Sequence, residues 1–146
     1  MITLALDTST SRGSVALLVD GELRLDERFS ADRSHSATLF TALEKARAIA
    51  ASLGLELSTG AKTVGIPSVA ALDVSVAEYL AIGDARRETF YFTHVVQGTC
   101  QEGPLLATHA ELTARLQGFP SLPILATEDV PGFPQAQMAL PSAAMR

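Results

Sequence analysis

Ile2, Leu4 and Leu6 alternate with smaller residues and the run stops at Asp7, and this strand ending in an acidic turn constrains the fold more than any other stretch. Alternation with a period of two is the pattern of a half-buried strand. Thr8, Ser9 and Thr10 follow, and Asp, Ser and Thr side chains readily bond their own backbone in turns. Val15 to Val19 is a second apolar run, and Asp20-Gly21 is a strong hairpin signal leading into a third strand at Leu23. The opening therefore predicts strand, acidic turn, strand, tight turn, strand.

Further along, Leu39 to Gly54 reads as helical, with Ser34 or Ser36 as N-cap around His35. Leu39, Leu43 and Ala46 fall on one stripe with Phe40 beside it, and Ala42, Ala46, Ala50 and Ala51 suit close helix–helix approach. A short strand is expected over 63–66, then a helix starting near Ser68, since Val69, Leu72, Val76 and Leu80 recur at helical spacing. Ala81 to Arg87 reads as a buried strand running into a charged turn. Glu88 to Val96 reads as a strand with Phe90, Phe92 and Val95 inward and His94 toward solvent. Prolines and glycines mark 118–137 as irregular around one short strand, Ile124-Leu125-Ala126.

Composition narrows the chemistry. The 146 residues are enough for a real core, and a 47% hydrophobic, 18% charged chain is not the composition of a disordered one. There is no apolar run of about 18 residues, so no membrane-spanning helix is expected. The start lacks a basic leader, and a cytoplasmic location is expected. A net charge of −5 and a pI near 5.1 argue against a general nucleic-acid surface. Cys100 is the single cysteine, which excludes an internal disulfide or a cysteine zinc site and leaves an incidental thiol near a hairpin turn. His35, His94 and His109 lack metal-ligand spacing; His109 reads as loop or first helical turn. No Gly-x-Ser-x-Gly elbow frames a serine.

Several segments, in order, resemble the TsaB (YeaZ) family of bacterial proteins, which serves threonylcarbamoyladenosine synthesis in tRNA. They are Leu4-Ala5-Leu6-Asp7-Thr8-Ser9-Thr10 with Ser14-Val15-Ala16-Leu17 and Asp20-Gly21; Ser34-His35-Ser36 with Leu39; Gly65-Ile66-Pro67-Ser68-Val69-Ala70-Ala71-Leu72; and Asp84-Ala85-Arg86-Arg87-Glu88 with Phe90 and Tyr91. The chain departs from the family where a strand and a glycine-rich loop normally separate two helices: Ala46 is followed directly by Arg47. Read as continuous, the flanks give one helix of about twenty residues, longer than usual. Either the insert is deleted or residues are left out of the chain as written. The second is favoured, because loss of an inner strand would leave its neighbours unpaired. The C-terminus is short in the same way after Met138-Ala139-Leu140-Pro141-Ser142-Ala143.

The resemblance implies an α/β fold of the actin-like ATPase (ribonuclease H-like) type, its mixed sheet beginning β-β-β-α. It implies an N-terminal lobe over 1–62, with the apparent gap near 46/47, and a smaller second lobe over 63–146. The implied function is that of a non-catalytic subunit pairing with a TsaD-like catalytic subunit, with a TsaE-like ATPase acting through the complex. A homodimer is implied where the partner is absent, and tRNA contact would be indirect. Asp7, Thr8, Ser9 and Thr10 would then be a vestigial phosphate loop, and His35, Leu39, Phe40, Leu43 and Ala46 a subunit interface. No cofactor is required on this reading, although ATP or ADP at a subunit interface is compatible with it. Asp84 could also face a nucleotide, but without an Asp-x-Gly loop a structural turn is favoured. The alternatives are a small-metabolite kinase or ATPase fragment of the same fold and, with no residue constellation behind it, a peptidase.

Overall fold

The computed structural model describes residues 1–30, 35–55, 62 and 64–144, with only the backbone of His35 and Ser36. The chain forms two compact units, Met1–Ile66 with Ser142–Arg146, and Pro67–Pro141. Its architecture is mixed α/β.

In the first unit the expected frame forms: β1 (Ile2–Asp7), β2 (Arg12–Val19) and β3 (Glu22–Ser30) make an antiparallel sheet in the order β1-β2-β3. Asp20 and Gly21 sit at φ of 52° and 83°, the left-handed pair a two-residue hairpin turn requires. β2 is the middle strand, and Gly13 to Leu17 are buried on both its faces. On one face Leu17 packs with Ala46, Ala50 and Ile49 of α1 (His35–Ser52) and with Ile2 and Leu25. On the other, Ala16 packs with Ala5, Leu18, Ala143 and Ala144.

α1 crosses Ala46–Arg47 without a break over its 18 residues. Both flanks are rich in good helix formers, and the buried positions Ala42, Ala46 and Ala50 stay in phase across the junction. The small residues expected to receive a neighbouring helix thus divide: these three face the chain's own sheet, while Ala51 is exposed. Small side chains let α1 lie close to β2 and β3.

Ser14 links the first unit's sheet to its C-terminal segment. It is 3% exposed, and its Oγ accepts from the Ala143 backbone N–H at 2.9 Å. Ser14→Ala would strand that buried donor, with an expected cost of about 1–3 kcal/mol, measurable by urea denaturation.

The second unit is a five-stranded mixed sheet, β6-β5-β4-β7-β8. Its strands are β4 (Glu78–Asp84), β5 (Thr89–Val96), β6 (Thr99–Thr108), β7 (Ile124–Ala126) and β8 (Gln137–Met138). One face packs Leu80, Ile82, Phe90 and Phe92 against Leu112 and Leu116 of α2 (His109–Gln117). The opposite face holds Tyr79, Ala81, Val95 and Leu125. Phe90, Phe92 and Val95 are inward as expected, and His94 is half-buried, bonded to Glu78 at 2.9 Å.

Two expectations fail. The helix from Ser68 is a single 3₁₀ turn, Ser68–Ala70, with no side-chain cap, and Leu80 lies in β4. Helical spacing lost there because Leu80-Ala81-Ile82 bonds to strands on both sides, β5 antiparallel and β7 parallel. Residues 64–66 form no strand, and Thr63 lies outside the described residues. α2 was not anticipated beyond its first turn. Its signal was the Thr108-x-x-Glu111 capping box, in which the Thr108 hydroxyl accepts from the Glu111 N–H and the Glu111 carboxylate accepts from the Thr108 N–H. Those bonds hold the Glu111 carboxyl below the usual glutamate range. A depressed acid stabilises above its unfolded pKa, so fraying of the α2 start is expected as pH falls through the folded value.

Candidate functional site

The two aspartates singled out from the sequence sit at equivalent places, each at the end of the first strand of its unit. Asp7 closes β1, and its Oδ1 accepts from the Ser9 N–H at 3.0 Å and from the Ser9 hydroxyl at 2.9 Å. Thr10 continues the turn: its Oγ1 accepts from the Arg12 N–H at 3.1 Å and donates to the Arg12 carbonyl at 2.8 Å. Thr8 is exposed. Asp84 closes β4, and its Oδ1 accepts from the Arg86 N–H at 2.7 Å. Arg86, Arg87 and Glu88 then take φ of 69°, 54° and 61°, while the Thr89 hydroxyl donates to the Arg86 carbonyl.

Both carboxylates therefore bond to the backbone two residues on, which closes the turn locally. A phosphate cradle needs the reverse, a set of backbone N–H groups aimed outward. At the Asp7 turn the Ser9 and Arg12 amides point inward to side-chain oxygens. The nearest glycine, Gly13, is spent on packing, since a Cβ there would strike the Phe29 ring. Two of the turn's amides, those of Ser9 and Arg12, are thus taken by side-chain oxygens of the turn itself.

The expected interface residues scatter around α1. Ala46 is 3% exposed and belongs to the chain's own core, so little of it is left for a partner. Leu39 and Leu43 are half-buried. Phe40 is 64% exposed, an unusual state for a phenylalanine on a regular helix. The His35 side chain and Ser34 lie outside the described residues.

Among the described residues no cluster of three His, Cys, Asp or Glu is placed to hold a metal. Burial pushes the half-buried Cys100 thiol up, away from a reactive thiolate. No described helix is long and apolar enough to cross a membrane.

No family model and no curated protein matches the chain. Among solved structures it resembles the crystal structure of an uncharacterized Pseudomonas aeruginosa protein described as similar to the peptidase YeaZ. The TM-score is 0.65 at 20% identity, over 97% of this chain and 86% of that one. At this identity the likeness defines the fold: a mixed α/β fold like that of a YeaZ-like protein.

Proposed function

We propose that the chain is a non-catalytic scaffold subunit of the TsaB (YeaZ) type, built on the actin-like ATPase fold. Its partner would be a TsaD-like catalytic subunit in tRNA N6-threonylcarbamoyladenosine modification, with a TsaE-like ATPase joining through the complex. tRNA would be held mainly by the partner, in keeping with the chain's net charge of −5. The observation that carries the reading is the pair of aspartate turns. By the resemblance Asp7 would face a nucleotide phosphate and Asp84 would hold the analogous place in the second half, and both carboxylates are used by their own backbone. No cofactor is needed for a scaffold. Phe40 supplies an apolar anchor of the kind that subunit contacts use.

Mixing the purified chain with a TsaD-like protein is expected to give a stable complex by size exclusion, while the chain alone turns over no nucleotide. Turnover by the chain alone would favour a kinase or ATPase of the same fold. Asp7→Asn keeps an acceptor oxygen at the turn, so a stability cost of about 1 kcal/mol or less is expected. tRNA modification in a reconstituted system should be nearly unchanged. A loss of about a hundredfold with the fold intact, the size of effect from removing a transition-state contact, would instead give Asp7 a chemical role.

A further inference from the structure

We draw no further inference here: the strongest candidate, the apolar patch of Leu105 and Leu106 on the outer strand β6 of the second unit's sheet, 38% and 74% exposed, carries nothing because nothing in the structure shows what covers it.

Discussion

Gly103→Ala is expected to destabilise the second unit by about 3 kcal/mol or more and to lower its thermal midpoint by about 10 °C. Gly103 sits at φ +87°, in the left-handed region that costs an L side chain about 1–2 kcal/mol. Space adds the larger share. A Cβ there would lie 3.1 Å from both the Leu105 N and the Thr93 Cα, and closer still to the Phe92 carbonyl oxygen. All three are backbone atoms of the β5–β6 ladder, which slips register beside Phe92. Such atoms cannot step aside as a flexible side chain can. Gly21→Ala is the control: its φ is +83°, but nothing lies within 4 Å of the added methyl. Calorimetry should therefore show the Gly21 variant losing only the conformational part, about 1 kcal/mol. Equal losses at the two positions would mean that the β5–β6 backbone relaxes around the methyl.

Phe40→Asp is expected to weaken association with a TsaD-like subunit by about thirtyfold or more, because an apolar anchor buried between subunits typically carries 2 kcal/mol or more. The side chain is 64% exposed, so the isolated chain should keep its thermal midpoint. Ala46→Asp behaves differently, since Ala46 is 3% exposed beside Leu17 and a charge there is buried without a partner. That variant should unfold rather than dissociate. Titration calorimetry on the folded Phe40 variant decides the matter: binding as tight as the parent's would remove Phe40 from the interface.

The opening frame was legible because its signals are local. Alternation in Ile2-Thr3-Leu4-Ala5-Leu6 fixes a strand, and Asp20-Gly21 fixes a hairpin whose turn needs two left-handed residues. Asp7-Thr8-Ser9-Thr10 could be read as a self-capped turn, since each bond it makes spans two residues. The inward set Phe90, Phe92 and Val95 was equally plain.

Tertiary structure decided the rest. α1 is apolar or small on nearly every side, from Leu39 and Phe40 through Ala42, Leu43, Ala46, Ile49, Ala50 and Ala51, so its sequence does not choose a buried face. The sheet chose it, by seating Ala46 and Ala50 on Leu17 and leaving Phe40 outside. Leu80 carried a helical period and became a central strand because two neighbouring strands complete its backbone bonds. The flanks of Ala46–Arg47, read as continuous, predict one helix, and they form one over His35–Ser52. Local bonding was written in the order of residues, whereas the choice of buried face required distant segments to meet.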